Sequence, residues 1–174
     1  MKKFIALLLS AIMVLGLLAG CGGSAEPEAT PAPELTAEER AELYKTAIEG
    51  ARPAEENESF PIYNALEGDG ELLLGILGLT GEDVEAFAMS ISMMNVHAYG
   101  IAAMKPAEGK EETVKNGLQS FIDTQKANFE FYLADQYEIA KAAKLDTLSD
   151  GTILMVLCAD SENVYNSIAS AIEG

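Results

Sequence analysis

Residues 152–159 (TILMVLCA) are apolar at nearly every position, and this run constrains the fold more than any other part of the chain. As a strand, it points Thr152, Leu154, Val156 and Cys158 to one side of a sheet and Ile153, Met155 and Leu157 to the other. Antiparallel strands that face water on one side alternate apolar and polar residues, so both faces of this sheet must be covered. The preceding Asp150-Gly151 favours a tight turn, which pairs the run with residues 145–148 as a hairpin.

A helix is expected over residues 36–49, ahead of the sheet. Thr36 and Glu39 have the spacing of a capping box, in which each side chain accepts a hydrogen bond from the other residue's backbone N–H. Leu35, Leu43, Ala47 and Ile48 form a narrow apolar stripe around this segment. Gly50 is a natural helix end. The two prolines and three acids of residues 50–61 predict a loop.

The rest of the chain alternates between strand and helix patterns. The expected elements are a short buried helix over 71–79, a strand over 99–104, a long helix over 111–133 and a last helix after Asp160-Ser161. The long helix has the clearest apolar face, which comprises Val114, Leu118, Phe121, Ile122, Gln125, Phe129 and Tyr132. Residues 84–95 fit both a helix and a strand. This order predicts an α+β fold with a small antiparallel sheet of about four strands (ββαββα-like), packed with helices and preceded by an N-terminal helix.

The two faces of the sheet need separate covers. The long helix has one apolar face and closes one side of the sheet. The last helix turns Val164, Ile168 and Ile172 inward. For the second face, residues 36–49, residues 71–79 and another chain all remain open as covers.

The first 21 residues have the organisation of a cleavable export signal. Lys2 and Lys3 form a positive start, and residues 4–18 form an apolar run shorter than the roughly 20 residues of a membrane-spanning helix. Residues 18–21 (LAGC) match the bacterial lipobox at all four positions. This resemblance implies cleavage between Gly20 and Cys21 and a diacylglycerol thioether on Cys21, the new N-terminus. An ordinary secretory signal and an uncleaved anchor are the alternatives.

A proline-rich segment separates this signal from the apolar part of the chain. Residues 22–34 (GGSAEPEATPAPE) cannot bury apolar area and indicate an extended tether. At about 3.1 Å per residue, the tether would hold a domain ~40 Å from the membrane. The expected organisation is a signal peptide at 1–20, the lipidated cysteine with a flexible acidic tether at 21–35, a helix and loop at 36–61 and an α+β domain at 62–174.

The charge of the chain limits the kinds of molecule that it can bind. Its 28 acidic and 11 basic side chains give a formal net charge of −17, or −19 once Lys2 and Lys3 are removed. Such a charge repels nucleic acid and anionic headgroups. The expected partners are the membrane, through the lipid on Cys21, and an envelope protein or a second copy of the chain, with no nucleic acid.

Side chains for catalysis or metal binding are sparse. His97 is the only histidine, and neither a cysteine nor a second histidine lies near it to complete a zinc site. Cys158 lies in the apolar run, where burial raises the pKa of a thiol and makes it inert. The methionines at 89, 93, 94 and 104 are more typical of core packing than of soft-metal binding. We therefore expect no catalytic, cofactor or metal site.

Three segments resemble one known family. They are residues 93–106 (MMNVHAYGIAAMKP), 132–141 (YLADQYEIAK) and 150–160 (DGTILMVLCAD). The family is the uncharacterised small bacterial lipoprotein family known as domain of unknown function 4358, and the similarity covers roughly residues 80–172. The resemblance implies a lipobox, a low-complexity tether and a ββαββα-like order. It assigns no activity.

The lipobox, the tether and the single small domain together predict a lipid-anchored lipoprotein on the extracytoplasmic face of the cell membrane. We expect its domain to be a non-catalytic binding or protein-interaction module. The alternative is a small solute-binding lipoprotein, although two-lobed receptors are usually much longer. An enzyme is the less favoured alternative, because a lone histidine and a lone cysteine are poor catalytic material.

Overall fold

A computed structural model describes residues 35–174 of the chain. The predictions for the signal peptide, for Gly20 and Cys21 and for the tether lie outside the described residues. The helices and strands of the described part are α1 (Ala37–Ala51), α2 (Ala54–Ser59), α3 (Gly70–Ile76), β1 (Val84–Ile91), β2 (Gly100–Pro106), α4 (Glu111–Phe129), α5 (Ala134–Lys141), β3 (Lys144–Thr147), β4 (Ile153–Leu157) and α6 (Ser161–Glu173).

The four strands form one antiparallel sheet in the order β1-β2-β4-β3. The apolar strand β4 lies inside the sheet, where Leu154 is opposite Ala103 of β2 on one side and Asp146 of β3 on the other. This confirms the α+β fold with a small antiparallel sheet of four strands and an N-terminal helix. The expected hairpin of β3 and β4 is also confirmed, with a positive φ of 83° at Gly151 in its turn.

Both faces of the sheet are covered, as the apolar run of β4 predicts. The odd-numbered side chains of β4 pack with α3 and α4 in one apolar cluster. Its even-numbered side chains pack with α1 and α6 in a second cluster. The chain therefore closes the second face itself, chiefly with α1 and α6.

The helix α1 is attached to the sheet by packing and by polar contacts. Tyr44 and Ile48 are fully buried in the second cluster. The Tyr44 hydroxyl is 2.5 Å from the Thr152 hydroxyl, and the Arg40 guanidinium donates to the Asp150 carboxylate at 2.8 Å. The capping box at the start of α1 is present as predicted. The buried stripe differs from the predicted one, because it runs through Ala41, Tyr44, Ala47 and Ile48.

Several boundaries differ from the sequence predictions. Residues 84–91 form strand β1, so the helical reading of 84–95 is wrong. The predicted loop over 50–61 contains the short helix α2, which begins directly after Pro53. Helix α3 ends at Ile76, earlier than expected, because Gly78 follows with a φ of +72°.

The long helix also ends before its predicted last residue. The backbone N–H groups of Tyr132 and Leu133 both turn back onto the carbonyl of Phe129, and α5 then begins as a separate helix that the predicted order lacks. Tyr132 was expected on the buried face of the long helix, and this is wrong. Its side chain is 85% exposed, because the chain has already left the helix at that point.

The sheet has two ends with different neighbours. At one end lie residues 92–99, which connect β1 to β2, together with the last turns of α1 and α4. We call this the hairpin end. At the opposite end lie the β3–β4 turn and the first turns of α1, joined by the Arg40–Asp150 pair. We call this the turn end.

Candidate functional site

Large apolar side chains are exposed mainly at the hairpin end. Nine such side chains are exposed in residues 35–174, and seven of them lie on α3, on the β1–β2 connection or on the α4–α5 connection. Those seven are Leu72, Ile76, Met93, Met94, Val96, Phe131 and Tyr132, and we call them the hairpin-end surface. Ile76 and Met93 of this set line one groove, and soluble domains rarely gather exposed apolar groups in one place, so this surface is the strongest candidate for a functional site.

A groove of about 450 Å³ runs through the hairpin-end surface, between α3, the β1–β2 connection and α4. None of its lining residues is Asp, Glu, Lys, Arg or His. The lining residues are Gly75, Ile76, Leu77, Gly78, Ser92, Met93, Asn95, Gly117, Ser120, Phe121, Thr124, Gln125 and Asn128. We call this the uncharged groove. Its lack of charge stands out on so acidic a chain, and residues 86–104 as a whole contain no Asp, Glu, Lys or Arg.

Three carboxamides line the uncharged groove, namely those of Asn95, Gln125 and Asn128. Asn95 comes from the β1–β2 connection, whereas Gln125 and Asn128 lie one helical turn apart on α4. None of the three amides makes a hydrogen bond to another group within residues 35–174. Each one therefore offers both a donor and an acceptor to a bound molecule.

Arg52 holds the β1–β2 connection in place through buried hydrogen bonds. Its side chain is buried, with the residue only 6% exposed, and its guanidinium donates to the hydroxyls of Ser90 on β1 and Tyr99 ahead of β2. The same group also donates to the Asn57 side chain and to the Phe60 carbonyl. Arg52 thus ties both stems of the β1–β2 connection to the segment around α2.

Aromatic packing extends this support. The ring of Phe60 stacks on that of Tyr99, with 4.0 Å between the ring centroids. Burial raises the pKa of Tyr99 to about 12. These contacts lie on the face of the sheet that α1 and α6 cover, whereas the groove is bordered by α3 and α4 of the other face.

The candidate reactive side chains are not brought together. His97 is exposed on the β1–β2 connection, with its ring edge-on to Phe60 at 6.3 Å between centroids. Cys158 is buried on the other face of the sheet from α4, and burial raises the pKa of its thiol. In the described residues, no hydrogen bond joins the His97 imidazole to this thiol. The pair has no geometry for nucleophilic catalysis.

The remaining candidate metal ligands are carboxylates and methionines. Asp83 accepts from Lys110 at 2.8 Å and from the Thr80 backbone and hydroxyl, contacts that lower its pKa to about 2. Within residues 35–174, no group of three or more His, Cys, Asp or Glu side chains is arranged to hold a metal ion. Met89 and Met104 are core residues as expected. Met93 and Met94 are exposed, so the core assignment is wrong for them.

Sequence reasoning missed the groove. The sequence predicts Gln125 on the buried face of the long helix, because it follows Phe121 and Ile122 at helical spacing. In the structure it lies at the margin of that face, half-buried and lining the groove. The uncharged stretch over residues 86–104 is the signal that could have pointed to this end of the molecule.

The described chain is thus a small α+β domain with a sheet covered on both faces and an uncharged, partly apolar surface at one end. The chain belongs to the family described as domain of unknown function (DUF4358), whose family model matches residues 58–158. The match begins earlier and ends earlier than the resemblance over residues 80–172 implies. Neither the curated proteins nor the solved structures hold a significant match to the chain.

The helices of the described part are short or polar relative to a membrane span. None of those in residues 35–174 combines the length and hydropathy that crossing a bilayer requires.

Proposed function

We propose that this chain is a lipoprotein, anchored through a lipid on Cys21 to the extracytoplasmic face of the cell membrane. Its domain is a non-catalytic module that binds a partner protein through the hairpin-end surface. The anchor is supported by the lipobox at residues 18–21. One observation carries the binding role: seven of the nine exposed large apolar side chains of the domain lie on the three segments α3, the β1–β2 connection and the α4–α5 connection, and two of them, Ile76 and Met93, line the uncharged groove.

Burial of these exposed side chains against a partner would be favourable in free energy. Met93, Phe131 and Tyr132 are 64%, 81% and 85% exposed. Burying side chains of this kind contributes about 1.5–3 kcal/mol each relative to leaving them in water. Aromatic and methionine side chains are also enriched at protein interfaces, whereas Lys and Glu are depleted. Four of the seven side chains of the hairpin-end surface are Met, Phe or Tyr.

The described chain begins at the end of the domain opposite the hairpin-end surface. The segment that leads to Cys21 joins the domain at Leu35, ahead of α1, at the turn end. Helix α1 has 15 residues and is therefore about 22 Å long. The hairpin-end surface lies beyond its far end. Residue 35 and the hairpin-end surface therefore lie at opposite ends of the described domain, and the acidic chain, which repels anionic headgroups, favours a protein over the membrane as the partner.

The experiment has one arm for the anchor and one for the partner. In the producing bacterium, a tagged fatty acid should label the native chain, and Cys21→Ala should abolish the label. In the second arm, a photo-crosslinking amino acid replaces Met94 at the hairpin end or, as the matched control, the similarly exposed Leu66. We expect one discrete adduct with a second protein from position 94 and none from position 66.

A further substitution makes the second arm specific. Val96→Glu adds a charge to the hairpin-end surface and should abolish the adduct formed from position 94. An adduct that forms equally from both positions, or that persists with Val96→Glu, would contradict the protein-binding role. Undiminished lipid labelling of Cys21→Ala would contradict the anchor. A domain that forms no adduct but purifies with a small molecule in the groove would establish the solute-binding alternative instead.

A further inference from the structure

We infer that the uncharged groove binds an extended, uncharged peptide segment of the partner protein. This inference rests on the proposed function and specifies the ligand of the same surface. It follows from three features of the groove: its unused carboxamides, its apolar wall and its lack of charged groups.

The carboxamides match the hydrogen-bonding needs of a peptide backbone. An extended segment that leaves water must find partners for its N–H and C=O groups, since a buried unpaired one costs free energy. Each of Asn95, Gln125 and Asn128 carries one acceptor and an NH₂ donor, as a neighbouring strand's peptide groups would. The three lie on both sides of the groove, so a segment running along it can be contacted from both.

The apolar wall suits the side chains of such a segment. Ile76 and Met93 are exposed, and the buried Phe121 lines the groove with them. Methionine is flexible and polarizable, so it adapts to side chains of different shape. The exposed aromatic side chains that would stack on a sugar ring are Phe131 and Tyr132, and neither of them lines the groove. The lining therefore favours a peptide over a glycan.

The absence of charge selects against charged segments. A carboxylate or ammonium placed in this groove would lose water without gaining an opposite charge, which is costly. The chain as a whole is strongly acidic, so a cationic partner would be drawn elsewhere on its surface. The bound stretch is therefore free of charged side chains.

One glycine of the groove provides a test that spares the fold. Gly75 lies in α3, and a Cβ added to it would meet nothing within 4 Å. Gly75→Leu therefore places a bulky side chain in the groove and at the same time improves helix propensity. Gly50 is the matched control: it is also a helical glycine in open space, but it lies in α1 outside the groove.

The full-length lipoprotein, purified in detergent micelles, is presented with a phage-displayed library of random 12-residue peptides. We expect enriched peptides that share an uncharged core of several residues. Fluorescence anisotropy then measures the affinity of one enriched peptide, labelled with fluorescein. Gly75→Leu and the double variant Gln125→Ala/Asn128→Ala should each weaken binding by about tenfold or more, since each removes contacts with the peptide. Gly50→Leu should leave the affinity unchanged.

The outcomes separate this inference from the proposed function. Enriched peptides rich in charged residues, or peptides whose affinity is unaffected by Gly75→Leu, would overturn the inference. So would the absence of any enriched peptide, or displacement of the bound peptide by a neutral oligosaccharide. If the photo-crosslink from position 94 still forms in those cases, the interaction role stands and only the peptide class is wrong. If that crosslink is also absent, the proposed function fails with it.

Discussion

Replacement of Ile48 by alanine tests whether α1 is an integral cover of the sheet. Ile48 is fully buried in the apolar cluster that α1 shares with α6 and the even-numbered residues of β4. Ile→Ala substitutions at such sites cost about 2–5 kcal/mol, in proportion to the cavity that the neighbours cannot fill. Because Ile48 is enclosed by a sheet and a second helix, we expect about 3–4 kcal/mol. That is a large part of a typical stability of about 5–15 kcal/mol.

The matched control is Leu43→Ala on the same helix. Leu43 is half-buried and belongs to neither apolar cluster, so we expect a loss below about 1 kcal/mol. Urea denaturation followed by circular dichroism measures the free energy of unfolding of both variants. In a thermal scan, Ile48→Ala should lower the Tm by about 10 °C. If the two variants differ by less than about 1 kcal/mol, α1 is only loosely attached and the second face has another cover.

Two further predictions concern individual side chains. Gly117→Ala should destabilise the domain by about 1–2 kcal/mol despite its better helix propensity, because the added Cβ would lie 2.6 Å from the Leu77 carbonyl oxygen. Gly75→Ala, the open-space control, should be neutral or stabilising in the same urea titration, and equal effects would refute the close-approach argument. The Cys158 thiol, buried and with a raised pKa, should react with a small maleimide only after denaturant is added. Rapid labelling of the native protein, measured by mass spectrometry, would show instead that the thiol is accessible.

Local sequence signals were reliable where one short-range interaction decides the structure. The capping box at Thr36, the turn at Asp150-Gly151 and the two-sided burial of β4 are all present in the structure as predicted. The apolar residues of the predicted α4 face are buried as far as Phe129, whereas Gln125, predicted on the same face, is only half-buried. In each case a few neighbouring residues contain the whole signal.

Predictions failed where packing between distant segments decides the outcome. Residues 84–95 fit two periods, and only pairing with β2 makes 84–91 a strand. The sequence predicts a buried stripe of α1 that includes Leu43, but packing against the sheet and α6 buries Tyr44 instead, whose hydroxyl also meets that of Thr152. The uncharged groove could not be predicted, because its lining comes from α3, the β1–β2 connection and α4, which are separated along the chain.

The sequence by itself determined the fold class and the need to cover both faces of the sheet. A strand that is apolar at both its odd and its even positions cannot leave either face in water, whatever the rest of the chain does. Which helices provide that cover, and which apolar residues remain exposed at the hairpin end, was decided only by the tertiary structure. Several arrangements of the apolar helices could cover the sheet. Their free energies differ through packing between segments, which no single segment encodes. Surfaces formed by several segments exist only once that packing is complete.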